Sequence, residues 1–365
     1  MAQGDFSVEI EKQQCYNVED RKCYFIKDVY NMKLKRLLAL LLTFVMCFVF
    51  ASCKDNSDKD SGTPTNNTEQ ITKAPEASQN EGSSPILYRV TDKNGNILWL
   101  FGSIHIGRED YYPLPDYVQK AFDESDILAV EADIVAYAVD TNQQMQAMSH
   151  LVYNDGTSVK DHIPQELYDK AVMILEEYDS YIPAMDWYCP AFWSSLIDSL
   201  MLEQLGGNAE LGIDQHLLEK AYEDEKEIAE IESIELQYKM LADYDDDIQI
   251  MLLESSVEAY ENLETTADEL KEMMDFWASG DEKAFADYLS TVDLENATDE
   301  EIKTYERYDQ VMVTERNLNM ADYAEEALSS GKEVFICVGS AHIIGDDAVA
   351  DLLSQRGYKV ERITK

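Results

Sequence analysis

The chain has 365 residues, 45% of them hydrophobic and 10% aromatic, enough for one large or two ordinary domains with a buried core, which excludes global disorder. Lys and Arg number 29 against 73 Asp and Glu, a formal charge of −44 at pH 7. A field of that sign repels phosphate backbones and anionic headgroups alike. Sequence-independent nucleic-acid binding is therefore excluded, and membrane association has to come from an inserted segment or an attached lipid. Divalent cations and cationic peptides remain compatible partners.

From Met32 the chain reads Lys33, Lys35 and Arg36, then an apolar run from Leu37 to Ala51, then Ser52 and Cys53. This is the layout of a secretory signal, and the run is short for a bilayer span, which needs about 20 residues. Its close, Phe50-Ala51-Ser52-Cys53, resembles a bacterial lipobox with Phe50 where Leu is usual. Residues 32–53 are thus expected to be a lipoprotein signal peptide, with Cys53 acylated as the lipid anchor; an uncleaved membrane helix is the alternative. Either puts the body on the extracytoplasmic face of the cell membrane. Residues 1–31, mixed and polar, read as an extension ahead of a true start at Met32. Residues 54–84, rich in Asp, Asn, Ser, Thr, Gly and Pro, cannot bury enough surface to fold and are expected to be a disordered tether. Past Cys53 only Cys189 and Cys337 remain, which is no disulfide framework. Cys337, inside an apolar run, reads as a buried, inert thiol.

The folded body is expected over 85–365. Ile86 to Val90 and Ile97 to Phe101 flank Asn94-Gly95, predicting a tight hairpin. A loop with Pro113 and Pro115, a helix near Asp116 to Glu124 and the apolar run Ile127 to Val130, which ends on Glu131, complete a strand-helix-strand unit. A further helix around Ile213 to Ala221 leads to a strand at Ile228 to Ile231, ending on Glu232. Long helical patterns occupy roughly 165–178, 191–204, 234–278 and 298–329, within a helical insertion of about 138–330. They are rich in Glu, Asp, Tyr and Met, as solvated acidic faces over a Met and Tyr core would be. At the C-terminus, Val334 to Val338 is a buried strand, Gly339 to Gly345 a loop, Asp346 a helix cap, Gly357 a helix stop and Tyr358 to Ile363 a last strand. That unit is most simply parallel. The expected fold class is α/β: a mostly parallel sheet of β-α-β units, opened by a hairpin and carrying a large helical insertion.

Two of the five histidines sit in nearly the same phrase: Phe101-Gly102-Ser103-Ile104-His105-Ile106 and Val338-Gly339-Ser340-Ala341-His342-Ile343. In an open parallel sheet, ligands bind beyond the carboxyl ends of the strands. Gly102 and Gly339 would let the backbone turn sharply there and permit close approach, and each His three residues on can then point into the crevice. Glu131 follows an apolar strand in the same way. Two imidazoles and one carboxylate, with positions left for water, suit a catalytic divalent metal ion of unspecified identity. His150, His162 and His216 have no such context.

These motifs resemble the TraB/GumN family, related to the Tiki proteins and more distantly to erythromycin esterases. The likeness extends to Gly212-Ile213-Asp214, Ile231-Glu232-Ser233-Ile234-Glu235-Leu236-Gln237, Glu315-Arg316-Asn317 with Met320, and Val338 to Gly345, and it covers about Leu87 to Ile363. The resemblance implies an EreA/ChaN/Tiki-like fold and a metal site of His105, Glu131 and His342 with Arg316 nearby. Tiki relatives are described as metal-dependent peptidases, and TraB members shut down peptide pheromones.

The expectation is therefore an extracytoplasmic, lipid-anchored, metal-dependent hydrolase acting on a peptide or protein. His105 and His342 would hold the ion. Glu131 would complete the ligand set or serve as general base, and Arg316 would stabilise an oxyanion. Glu232 and Gln237 are candidates for outer-shell hydrogen bonds. A serine hydrolase through Ser103 or Ser340 is disfavoured, because neither sits in a G-x-S-x-G elbow. The alternative class is a non-enzymatic surface protein that binds and sequesters a peptide pheromone or small ligand in the same crevice.

Overall fold

Six strands, β1 (Leu87–Thr91), β2 (Ile97–Ser103), β3 (Ile127–Val130), β4 (Glu227–Glu230), β5 (Val334–Gly339) and β6 (Lys359–Ile363), form one sheet ordered β4-β3-β5-β2-β1-β6. The structure, a computed structural model, describes residues 83–290 and 297–364; the leader, Cys53 and nearly all of the tether lie outside them. β4, β3, β5 and β2 run parallel, while β1 pairs antiparallel with both β2 and β6. β3 and β5 are buried at every residue, as parallel strands covered on both faces must be.

The expected opening hairpin is present, and its turn spans more than two residues. Asp92 N–H still donates to the Asn96 carbonyl, and Gly95 N–H folds back to the Asp92 carbonyl. Asn94-Gly95 therefore ends a longer turn, with Gly95 at φ +90°, a left-handed position that Gly adopts without strain. Asp92 Oδ1 accepts from Asn94 N and Asn96 N, both at 2.8 Å, and this fastens the turn. The last strand, β6, runs in the direction of β5, as expected of a parallel unit, but it crosses beyond β2 and β1 and pairs antiparallel with β1 at the sheet edge.

The helices are α1 (Asp116–Glu124), α2 (Ile134–Val139), α3 (Thr141–His150), α4 (Val159–His162), α5 (Gln165–Glu177), α6 (Pro190–Gln204), α7 (Ile213–Glu223), α8 (Ile234–Ala242), α9 (Asp246–Glu261), α10 (Leu263–Ser279), α11 (Glu282–Ser290), α12 (Asp299–Asp309), α13 (Glu315–Ser330), α14 (Ser340–Ile343) and α15 (Val349–Gln355). They build two cores. The sheet, α1, α7, α10, α13 and α15 enclose one, in which Phe335 meets Phe101 and Phe122 with ring centroids 5.5 and 5.7 Å apart. Fully burying a side chain of this kind stabilises by roughly 1.5–3 kcal/mol. The other core is built by α3, α5, α6, α8, α9 and α12 around Trp193, Tyr238 and Tyr308.

Local signals set several ends. Thr298 and Glu301 close a capping box at α12, and α10 and α13 stop at the left-handed Gly280 and Gly331. Asp346, expected to cap the C-terminal helix, does not; α15 starts after Ala348. Ser83 and Ser84 belong to the packed body rather than the tether: Ser83 is buried, and Ser84 N–H donates to the Ala278 carbonyl at 2.6 Å. Among the described residues, no helix is long and apolar enough to cross a membrane.

Candidate functional site

The parallel register brings four chemistry-bearing residues to one edge. Ser103 of β2 stands opposite Gly339 of β5, so His105 and His342 come just after the ends of adjacent parallel strands. Val130 of β3 pairs with Cys337 and with Glu230 of β4, and the ladder continues as Glu232 N–H donates to the Glu131 carbonyl at 2.8 Å. Across the sheet, the carboxyl ends carry Glu232, Glu131, His342 and His105.

The two motif glycines do different things. Gly102 lies within β2, and a Cβ there would sit 2.7 Å from Ser340 Oγ and 2.8 Å from Ile343 Cδ1; the residue permits close approach and not a turn. Gly339 sits at φ −51°, which any residue adopts. It leads directly into a short helix, α14, instead of the expected loop. Ser340 Oγ donates to the Ser103 carbonyl at 2.9 Å, tying the two motifs together. That bond occupies the Ser340 hydroxyl.

On the carboxylate side, Glu131 and Glu232 share one guanidinium, that of Arg316. Glu131 Oε1 accepts from Gly339 N–H at 2.7 Å, and Glu131 Oε2 from Arg316 Nη2 at 2.5 Å. Arg316 also donates to Glu232 through Nε at 2.7 Å and Nη2 at 2.9 Å. Gln237 Nε2 reaches Glu232 Oε2 at 2.8 Å and Glu131 Oε2 at 3.5 Å. Arg316 is 2% exposed. Burial works against its charge, but Glu131 and Glu232 outweigh it and hold the guanidinium's proton more tightly than usual. A widened π-type turn at Gln310–Thr314 precedes it. Arg316 and Asn317, in the first turn of α13, are both buried.

The imidazole side is organised differently. His105 Nδ1 lies 2.5 Å from Asp214 Oδ2, and Asp214 is in the first turn of α7, where the helix dipole suits an anion. His342 Nδ1 lies 2.8 Å from Asn317 Oδ1. His342 is fully buried, and its Nε2 has no hydrogen-bond partner. Burial, joined by the positive charge of Arg316, pushes its imidazole well below the ordinary His range; Glu232 opposes the shift and His105 adds to it. It is therefore neutral at pH 7.

Sequence reasoning gave no role to Asp214 or Asn317, although both stand in the motif phrases, nor to Trp277 of α10, whose Nε1 donates to the Gly102 carbonyl at 2.9 Å. The remaining histidines are elsewhere. His150 meets Glu235 at 3.1 Å, His162 meets Asp246 at 3.1 Å, and His216 packs on Tyr112 with centroids 4.4 Å apart. Cys189 and Cys337 are free and buried, and burial raises both thiols, Cys189 to about 11.

For a metal ion the donor set fits in part. An orphaned nitrogen on a buried imidazole, with the other ring nitrogen tied to an oxygen, is how ligating histidines are held. Glu131 is placed otherwise, with both oxygens engaged by Arg316 and Gly339. Among the described residues, no three His, Cys, Asp or Glu side chains gather closely enough to hold a metal ion.

Fold and site together define an α/β protein with two imidazoles and two carboxylates gathered at the carboxyl ends of parallel strands. The chain belongs to the TraB/PrgY/gumN family, which it matches over residues 86–362. It is 26% identical over 257 residues to the uncharacterized protein YbaP of Escherichia coli K12, covering 70% of this chain and 86% of that one, and equally to YbaP of Shigella flexneri. It is 23% identical over 305 residues to metalloprotease TIKI2 of Xenopus tropicalis, covering 72% of this chain and 57% of that protein. No solved structure matches.

Proposed function

We propose that the protein is a metal-dependent hydrolase of peptides or proteins, held at the extracytoplasmic face of the cell membrane by a lipid on Cys53, with an EreA/ChaN/Tiki-like fold. The observation that carries the chemistry is the pair of imidazoles at adjacent strand ends, each with Nδ1 on an oxygen and one with an orphaned, buried Nε2. The distant likeness to a metalloprotease supports the same reading. His105 and His342 would hold the ion, which supplies an activated water near neutral pH and polarises a carbonyl. Glu131, oriented by Arg316 and Gly339 N–H, would complete the ligand set or serve as general base. Arg316, paired with Glu131 and Glu232, places a fixed positive charge beside them.

The mutual engagement of Glu131 and Arg316 favours a second reading, in which the same crevice binds and sequesters a short peptide without cleaving it. Mass spectrometry of a peptide mixture incubated with the protein separates the two. Cleavage that disappears with chelator and in His342→Ala supports the hydrolase, whereas retention of intact peptides supports sequestration. Lipid labelling that is lost in Cys53→Ala supports the anchor, and unchanged labelling refutes it.

A further inference from the structure

The two site histidines are held by chemically different partners, and both partners act as acceptors. For Asn317 this is settled by its other end: Nδ2 donates to the Asp347 carbonyl at 3.1 Å, which fixes the amide with Oδ1 toward His342. An amide oxygen can only accept, so the 2.8 Å contact requires a proton on His342 Nδ1. The Asp347 carbonyl is presented by a loop in which Asp347 itself has φ +56°, a costly conformation for a residue with a side chain. At His105 the 2.5 Å partner is a carboxylate oxygen of Asp214. Gly212 lets this helix start come close, since a Cβ there would lie 2.6 Å from the His105 carbonyl oxygen.

We infer that Asp214 and Asn317 are positioning residues that fix His105 and His342 in the same tautomer, Nδ1–H, so that His342 presents the lone pair of Nε2. A hydrogen on His342 Nε2 would have no acceptor in a fully buried pocket, at a cost of about 1–3 kcal/mol for the unsatisfied donor. The opposite tautomer would also set two lone pairs against each other at Asn317 Oδ1. A metal ion or any other electrophile needs that lone pair. The inference rests on the imidazole pair being the working site, but its first readout requires no ion.

The test is nitrogen-15 NMR of the histidine rings in the full chain without added metal at about pH 8; five histidines keep the spectrum assignable. His105 and His342 are expected with protonated Nδ1 and unprotonated Nε2. Asn317→Ala and Asp214→Ala should each move their own imidazole into a tautomer mixture, and Asp214→Asn, which keeps an acceptor oxygen, should restore the signature. In a zinc titration the two Ala variants should bind about 10- to 100-fold more weakly than the wild type. A protonated Nε2 on His342 in the wild type overturns the inference without recourse to any variant. Folded Ala variants with unchanged ring spectra and unchanged zinc affinity also overturn it. Expected tautomers in a wild type that binds no zinc support the positioning role and remove the metal reading alone.

Discussion

Asp198 offers a quantitative test of the helical insertion. It lies on α6, one turn after Ser194, whose hydroxyl meets that of Ser256 on α9 at 2.7 Å. Asp198 is 3% exposed, and among the described residues neither carboxyl oxygen finds a partner at hydrogen-bond geometry. Burial raises it from 3.8 to about 7, with Ser256 opposing the shift. Below 3.8 the group is protonated in both folded and unfolded chains and the full stability is present; as pH rises through about 7 that stability is lost. The gap, at about 1.4 kcal/mol per pH unit, sets the scale of the loss at ~4 kcal/mol. Asp198→Asn keeps the volume and removes the charge. Urea denaturation at about pH 4, 6 and 8 should show wild type and variant close at the lowest pH, and the variant gaining a few kcal/mol by the highest. Any constant offset from burying the amide cancels in that comparison. A difference independent of pH would refute the reasoning.

Other perturbations probe the site's supports. Gly102→Ala forces a Cβ against Ser340 Oγ and Ile343, so it should destabilise by about 1–3 kcal/mol, read as a lower melting temperature. Trp277→Phe removes the donor to the Gly102 carbonyl and should cost about 1–2 kcal/mol in denaturant titration, with a packing-neutral result counting against the insertion's role in holding β2. Arg316→Met leaves Glu131 and Glu232 buried without their cation. It should destabilise by about 3–5 kcal/mol at neutral pH, read as a lower urea midpoint.

The strands that end at the site were legible because buried parallel strands read as unbroken apolar runs, and two of them close on the same tetrad. α1 and β3 fall at the residues expected. What local pattern cannot carry is partner choice across the fold. Asp214 is 109 residues from His105, and Arg316 is 185 from Glu131, so their pairing emerges only once α7 and α13 dock on the sheet. The placement of β6 depends on a crossover past two strands, and an edge strand's alternation fits several neighbours equally. Gly339 misled because a glycine after a strand suggests a turn, and here its N–H is what the site uses.

The central claim is that His105 and His342 form one metal site, and calorimetric titration of the folded protein with zinc tests it most directly. The wild type should bind one ion. His105→Ala and His342→Ala should each reduce affinity at least about 100-fold without unfolding the chain, while His150→Ala and His216→Ala leave it unchanged. Binding that survives both site substitutions, or a wild type with no affinity for zinc, cobalt or manganese, would contradict it.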